Sequence, residues 1–257
     1  MVSEQNKRVA FELVDGIVLL PGMVGETKGF FAFDTGATRT VINQKYCDMD
    51  KALSADKDAI TYDNDTKSSK VSKLEKITIS YADEDTVIDN PTVMDMTYVE
   101  TPLKKSKDDV VFLGSIGADL IGKNPLIVDY VNKEIVFNAS EVPVSLKKYP
   151  IKVEMLPVIE LGLGESKYRF VLDTGANHFL MDKESAPSDY VLSNNEAGAT
   201  HIIPAFHFED QEYKDITGVV TDISAIKNAL HVDGVIGYQL LKDRICYFDY
   251  KSESLYM

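Results

Sequence analysis

The 257-residue sequence has no tryptophan, two cysteines and four histidines. Cys47 and Cys246 lie far apart and outside any C-x-x-C spacing, so no disulfide framework is predicted. We expect both as buried, reduced thiols rather than as a disulfide. The histidines form no H-E-x-x-H motif and no cluster with the cysteines. The sequence therefore offers no ligand set for a zinc site.

Basic residues and long apolar runs are also scarce. Lys plus Arg total 27 against 41 for Asp plus Glu, a formal net charge of −14 that repels phosphate backbones and anionic lipids. No stretch approaches the roughly 18 consecutive apolar residues of a membrane-spanning helix, and residues 1–10 lack an apolar signal core. We expect a soluble chain without nucleic-acid or membrane partners. Its compartment stays open, either cytoplasmic or exported with a leader removed.

The sequence repeats itself at a fixed offset of 139 (173 − 34). This shift places residues 25–28 (GETK) on residues 164–167 (GESK), and residues 34–37 (DTGA) on residues 173–176 (DTGA). An apolar segment precedes DTGA in both copies. Self-similarity at one fixed offset indicates a duplicated structural unit.

A second shared element closes each half. Residues 120–122 (LIG) precede IVDYVNKEIVF, and residues 235–237 (VIG) precede ICYFDYKSESLYM. The separation from Asp to Gly is 122 − 34 = 88 in the first half and 237 − 173 = 64 in the second, so the first half is longer by 24. Prolines in residues 140–157 indicate a junction. We predict an N-terminal lobe at 1–148 and a C-terminal lobe at 149–257.

Short β-branched and aromatic segments, bounded by Gly, Asn, Asp or Pro, predict strands along most of the chain. The fold class predicted is therefore all-β, with two pseudo-symmetric barrel-like lobes. Helical signals are few. The best is SAIKNAL at residues 224–230, with Ser224 as a possible N-cap, and a short helix is expected after Gly122 or Gly237.

The repeated loop suggests a specific chemistry. Each loop places a carboxylate at the end of a buried strand, glycine permits close approach, and the threonine hydroxyl can fasten one loop to the backbone of its partner. Two carboxylates that meet at a two-fold axis cannot both ionise cheaply, so the pair holds one shared proton and supplies a base and an acid together. The residues concerned are Asp34, Thr35, Gly36, Asp173, Thr174 and Gly175.

With these motifs the chain resembles the pepsin-like and retropepsin-like aspartic peptidases, particularly the bacterial retroviral-type proteins that carry D-T-G-A. The resemblance implies two β-barrel lobes around a cleft, and hydrolysis of peptide bonds by a water held between two aspartates. It implies Asp34 and Asp173 as the catalytic pair, a peptide or protein substrate, and neither a metal nor an organic cofactor. Because one chain supplies both halves, we expect a monomer. The loop-supporting residues would be Thr35, Gly36, Ala37, Thr174, Gly175 and Ala176.

The chain departs from this pattern at several points. Asn177 stands where Ser or Thr is usual, and Ala37 and Ala176 lack the hydroxyl that pepsin-like enzymes commonly carry there. A flap over the cleft is expected in residues 60–71 (ITYDNDTKSSKV), either as a mobile lid or as a plain surface loop, with Tyr62 as a candidate substrate contact. The corresponding segment of the second half, SDYVLSNNEAGATHI, is predicted to form no hairpin.

Two other functions compete with an aspartic endopeptidase. The first is a catalytically inactive relative that binds peptides or proteins, although a binding module has no chemical need for two mutually repelling carboxylates. The second is a hydrolase for another substrate. Glycoside hydrolysis needs acids several ångströms apart, which symmetric D-T-G loops would not provide. The contact between Asp34 and Asp173 therefore discriminates among these hypotheses.

Overall fold

The computed structural model describes residues 6–53, 58–61, 67–187, 191–195 and 198–257. Within these residues it contains 24 strands and four α-helices, arranged in sheets of six, ten and eight strands. The larger two sheets curl into half-barrels, one in each half of the chain. The predicted fold class, all-β with two barrel-like lobes, is therefore confirmed.

The elements of the first half are numbered here in chain order. The strands are β1 (Lys7–Ala10), β2 (Glu12–Val14), β3 (Ile17–Val24), β4 (Thr27–Phe33), β5 (Val41–Asn43), β6 (Asp58–Thr61), β7 (Lys67–Lys73), β8 (Lys76–Tyr81), β9 (Glu84–Asp89), β10 (Thr92–Met94), β11 (Phe112–Ile116), β12 (Leu126–Asp129) and β13 (Glu134–Phe137). The helices are α1 (Thr97–Ser106) and α2 (Ala118–Ile121), and 3-10 turns lie at Gln44–Tyr46 and Met49–Lys51.

The second half continues the numbering. The strands are β14 (Lys148–Pro150), β15 (Lys152–Val153), β16 (Pro157–Leu163), β17 (Ser166–Leu172), β18 (Phe179–Asp182), β19 (Val191–Asn195), β20 (Gly198–Phe208), β21 (Gln211–Thr221), β22 (Gly234–Ile236), β23 (Ile245–Asp249) and β24 (Ser254–Tyr256). The helices are α3 (Ser224–Leu230) and α4 (Tyr238–Leu241).

Both curled sheets place the strand that leads into DTGA at their centre. In the ten-stranded sheet, β4 pairs antiparallel with β3 and parallel with β11. In the eight-stranded sheet, β17 pairs antiparallel with β16 and parallel with β22. The last three residues of both β4 and β17 are buried, as expected for a strand covered on both faces. Each aspartate thus follows a rigid, fully packed strand.

The six-stranded sheet joins the two halves. Its order is β1-β13-β12-β23-β24-β14, with β12 and β23 antiparallel at its centre. The predicted boundary between residues 148 and 149 falls inside β14, which pairs with β24 at the end of the chain. The division into lobes at this point stays a prediction.

The predicted equivalence of residues 120–122 with residues 235–237 is wrong. The backbone N–H of Asp34 donates to the carbonyl of Ile116 (3.0 Å), just as the N–H of Asp173 donates to the carbonyl of Ile236 (2.8 Å). The true counterpart of VIG is therefore SIG at residues 115–117, and the LIG segment lies at the end of α2. The corrected Asp-to-Gly separation is 117 − 34 = 83, so the first half is longer by 19 rather than 24.

This correction reveals a second repeat, at an offset of 120 (237 − 117). Residues 114–121 (GSIGADLI) align with residues 234–241 (GVIGYQLL), and each contains a buried strand, a glycine and one turn of helix. The repeat continues to the Asp-Tyr pair at the end of β12 and the one at the end of β23. Both aspartates accept hydrogen bonds from the backbone N–H groups two and three residues later.

The helix predictions are partly confirmed. Helix α3 spans residues 224–230 as expected, but its N-cap is Ile223 and not Ser224, whose N–H donates to the Asp222 side chain (3.0 Å). Helix α4 follows Gly237 as predicted, whereas α2 follows Gly117 rather than Gly122. None of the helices in the described ranges is long and apolar enough to span a bilayer. Cys47 and Cys246 are free thiols, but only Cys246 is buried as expected, and Cys47 is partly exposed.

Both halves carry a hairpin beside the cleft-forming strands. Strands β6 and β7 form an antiparallel pair within the predicted flap, and Tyr62, the candidate substrate contact, lies outside the described residues. Strands β19 and β20 form the same kind of pair in the second half. The prediction that this second segment forms no hairpin is therefore wrong.

Candidate active site

The two DTGA loops meet at the floor of a cleft. Asp34 follows β4, Asp173 follows β17, and their carboxyl groups share a hydrogen bond. Each residue keeps part of its surface open to the cleft. The structure thus brings together two acids that belong to different halves of the sequence.

Two threonines fasten the loops to each other. The Thr35 hydroxyl donates to the carbonyl of Leu172 (2.7 Å) and accepts the N–H of Thr174 (3.0 Å). In return, the Thr174 hydroxyl donates to the carbonyl of Phe33 and accepts the N–H of Thr35 (3.1 Å). Both threonines are fully buried. Because these bonds cross between the halves, they hold the position of one aspartate against the other.

The glycines after the threonines leave room for the opposite carboxylate. A Cβ on Gly36 would lie 2.2 Å from Cγ of Asp173, and one on Gly175 would lie 2.9 Å from Cγ of Asp34. The N–H groups of Gly36 (3.2 Å) and Gly175 (2.7 Å) both donate to Oδ1 of Asp173. Each glycine therefore supplies both the space for a carboxylate and a hydrogen bond to one.

The surroundings of the two acids raise the pKa of both. Burial raises the pKa of Asp34 well above its usual value, and the neighbouring charge of Asp173 raises it further. Burial also raises the pKa of Asp173, but the N–H of Gly175 and the hydrogen bond from Asp34 oppose the increase. Because both pKa values are raised and the two groups interact, the pair as a whole holds one shared proton.

A polar contact outside the DTGA motif supports the first loop. Thr40 accepts the N–H of Gly117 on its hydroxyl (3.1 Å) and donates that hydroxyl to Asp119 (2.7 Å), which also accepts the Thr40 N–H (2.8 Å). The residue equivalent to Thr40 at the 139 offset is Phe179, so this contact has no copy in the second half. Sequence reasoning missed Thr40 and Asp119 because they lie far apart in the chain and neither belongs to a repeated motif.

The second loop is supported differently. The side-chain amide of Gln239, on α4, donates to the backbone carbonyl of Asn177 (2.5 Å). This hydrogen bond braces the loop at the position where Asn177 departs from the family pattern. Ala37 and Ala176 contribute through their carbonyls, which accept N–H groups from the segments after Gly117 (2.8 Å) and Gly237 (3.0 Å).

The cleft above the aspartates has a volume of about 970 Å³ and mostly apolar walls. On the first-half side, the wall comes from the end of β10 and the start of α1. On the second-half side, it comes from α3 and β18. The apolar residues that form these walls include Met94, Met96, Val99, Leu180, Ile226 and Leu230. A cleft of this size and character is typical of a site for a small molecule or an extended peptide segment.

No protein-family model matches the chain, and no curated protein matches it. Its function is therefore inferred from the geometry of the site.

Proposed function

We propose that this protein is an aspartic endopeptidase, in which Asp34 and Asp173 activate a water molecule for attack on a peptide bond. The observation that carries the proposal is the hydrogen bond between the two carboxyl groups at the floor of the apolar cleft. Two acids held in contact and sharing one proton are an arrangement that costs stability, and such arrangements are concentrated at catalytic sites.

The hydrogen bonds that Asp173 accepts from the N–H groups of Gly36 and Gly175 favour its ionised form, so this scheme uses Asp173 as the base and Asp34 as the acid. Ionised Asp173 accepts a proton from the water, whose oxygen bonds to the peptide carbonyl carbon. Protonated Asp34 donates its proton to the carbonyl oxygen, which gives a neutral tetrahedral diol. Collapse of the diol breaks the C–N bond, the amine nitrogen takes the proton held by Asp173, and Asp34 recovers a proton from a hydroxyl. Both aspartates thus return to their starting states.

The surroundings fit this chemistry. The reciprocal hydrogen bonds of Thr35 and Thr174 hold the acids in place without any group that must move during the reaction. Apolar walls on both sides of the pair suit the side chains that flank a cleaved bond. One chain supplies both loops, so a monomer should be active, and the scheme uses no metal or organic cofactor.

The test is cleavage of an internally quenched peptide library, with products located by mass spectrometry. We expect Asp34→Asn and Asp173→Asn to abolish cleavage while both variants stay folded by circular dichroism. Asp83→Asn, on the exposed turn between β8 and β9, is the matched control and should cleave like the wild type. A statine-type peptide, whose hydroxyl mimics the attacking water, should inhibit, and chelators should not.

Peptide binding without cleavage by the wild type would instead support the inactive binding relative. Cleavage retained by either active-site Asn variant would refute the paired-aspartate mechanism. Loss of activity in a chelator, restored by zinc, would indicate a metal hydrolase. Activity that disappears on dilution together with a dimer would contradict the expectation of a competent monomer.

A further inference from the structure

One of the four arginines is placed unlike the others. Arg8 and Arg169 form ion pairs with glutamates, and Arg244 contacts polar side chains of β21. Arg39 is exposed, lines the cleft and has no hydrogen-bond or ion-pair partner among the residues that the structure describes. In a chain with 41 acidic residues, an arginine that lines the cleft without a partner among the described residues is available for a ligand.

A lysine lies on the same side of the cleft. In the sheet, Val41 of β5 pairs in register with Thr92 of β10, and Thr92 pairs in register with Lys73 of β7. All three residues line the cleft. Adjacent strands are about 4.8 Å apart, so Lys73 lies about 10 Å across the sheet from Val41, which is two residues after Arg39. Lys73 is exposed, and no acidic partner of it is found within the described residues.

Among the described residues, the opposite side of the cleft lacks an equivalent pair of cations. The counterpart of Arg39 at the 139 offset is His178, whose Nδ1 contacts the Asn177 side chain (2.5 Å). Apart from Asp173 and His178, the described lining of this side is uncharged. The positive charge of the cleft therefore lies on the first-half side, whereas Asp173, the aspartate assigned as ionised, belongs to the second half.

We propose that Arg39 and Lys73 form an acidic subsite, which selects peptides with a Glu or Asp side chain on one side of the apolar residues at the cleaved bond. This inference rests on the proposed peptidase function and adds a substrate class to it. The planar guanidinium of Arg39 can hold a carboxylate through two parallel hydrogen bonds, and the ammonium of Lys73 adds a second positive charge.

The charge of the whole molecule strengthens the selection. With a net charge of −14, most of the surface repels an acidic peptide, so the cleft cations would concentrate the acidic segment at the site. A peptide without a carboxylate would leave the two cations solvated and lose this attraction. The preference should therefore weaken as salt screens the charges.

The experiment compares peptides that share an apolar pair at the cleaved bond and differ at one flanking position, which carries Glu, the isosteric Gln, or Lys. We expect wild-type kcat/KM for the best Glu peptide to exceed that for its Gln counterpart by about tenfold, the size of one charge-assisted hydrogen bond. The double variant Arg39→Gln/Lys73→Gln should reduce this ratio to about one. Lys76→Gln, which removes one positive charge at an exposed position of β8 away from the cleft, should keep the wild-type ratio.

A binding measurement separates this inference from the peptidase proposal. Fluorescently labelled Glu and Gln peptides are titrated with the Asp34→Asn variant, with and without the two cation substitutions. Preferential binding of the Glu peptide that depends on Arg39 and Lys73 supports the acidic subsite even if the wild type cleaves nothing. Equal kcat/KM and equal binding for Glu and Gln peptides would overturn the subsite while leaving cleavage intact. A Glu preference that survives the double substitution would overturn it as well.

Discussion

The hydroxyl of Thr35 forms hydrogen bonds with both Thr174 and Leu172. It accepts the N–H of Thr174 and donates to the carbonyl of Leu172. Thr35→Val keeps the shape of the side chain but leaves both backbone groups buried without a partner. Each such group costs about 1–3 kcal/mol, so we expect the free energy of unfolding to fall by about 2–6 kcal/mol. Urea denaturation measures the change.

Thr35→Ser is the matched control for this prediction, because it keeps the hydroxyl and removes only the methyl group. It should retain most of the stability and most of the peptidase activity. If Thr35→Ser and Thr35→Val lose the same stability, the methyl packing and not the hydrogen bonds would be the source of the effect.

Gly36 sets the distance between the loops. A methyl group there would lie 2.2 Å from Cγ of Asp173 and 2.3 Å from its Oδ2, so that carboxylate must move. Because displacement of a reacting group by about 1 Å can reduce a rate about 100-fold, we expect Gly36→Ala to lose at least that much kcat/KM. Gly162→Ala, whose Cβ would lie at an ordinary 3.5 Å from Cβ of His207, is the control and should stay active. An active Gly36→Ala enzyme would refute the close packing of the loops.

The DTGA loops could be predicted because their chemistry is local. An apolar run, an acid, a hydroxyl and a glycine occur together within a short segment, and the repeat at a fixed offset shows that two copies exist. The SIG segment was missed for the opposite reason. Ser115 is polar, so the more apolar LIG segment just after it matched the expected pattern better. Only the pairing of β11 with β4 distinguishes the buried strand from the short helix.

The second hairpin and the hydrogen bonds between Thr40 and Asp119 also could not be predicted from the sequence. Strands β19 and β20 contain polar residues such as Asn194 and Asn195, and their pairing comes from backbone hydrogen bonds, to which strand propensity is a weak guide. The contact of Thr40 with Asp119 depends on where two distant segments meet, and no periodic pattern encodes that meeting.

Helix α3, which forms one wall of the cleft, is anchored by an ion pair beneath it. Asp182 is buried and accepts hydrogen bonds from Nζ of Lys227 (2.8 Å) and the N–H of Ile223 (3.3 Å). We expect Lys227→Met to lower the free energy of unfolding by about 2 kcal/mol, since it leaves a buried carboxylate without its cation. Lys183→Met removes only the exposed pair with Asp222 and should cost less than about 1 kcal/mol. Equal losses in the two variants would argue against the anchor.

Ionisation of Asp182 should also make the free energy of unfolding depend on pH in the acidic range. Burial acts to raise the pKa of Asp182, but the hydrogen bonds from Lys227 and from the backbone outweigh it and hold the pKa below its usual value. A lowered folded pKa contributes stability above the unfolded value of about 3.9, and this contribution is lost as the pH falls through the folded value. The stability advantage of wild type over Asp182→Asn should therefore shrink below about pH 4. An advantage that does not change with pH would exclude ionisation of Asp182 as its source.

The stability linked to Asp34 and Asp173 should change with pH in the opposite direction. The pKa values of Asp34 and Asp173 are raised in the folded protein, so the stability linked to their protons is fully present below about pH 3.9 and is lost as the pH rises through the folded values. Asp34→Asn replaces the protonated acid with a neutral amide of similar shape. We expect the free energy of unfolding of this variant to exceed that of wild type at neutral pH. The difference should disappear near about pH 3. Denaturation of both proteins across this pH range measures it, with Asp83→Asn as the control, and a wild type that is more stable at neutral pH would contradict the raised pKa.

Under the proposed function, Ala37 and Ala176 should influence the pH range of activity. Both line the cleft directly after the glycines, and neither side chain can donate a hydrogen bond to an ionised aspartate. A serine hydroxyl at these positions would stabilise the anion and lower the pKa of the pair. We therefore expect Ala37→Ser with Ala176→Ser to move the pH optimum of kcat/KM downward, measured on a peptide without ionisable side chains. Ala225→Ser, which adds a hydroxyl on the α3 wall instead, should leave the optimum unchanged. An unmoved optimum in the double variant would show that the hydroxyls do not reach the carboxylates, and the paired-aspartate mechanism would still be decided by the Asn variants.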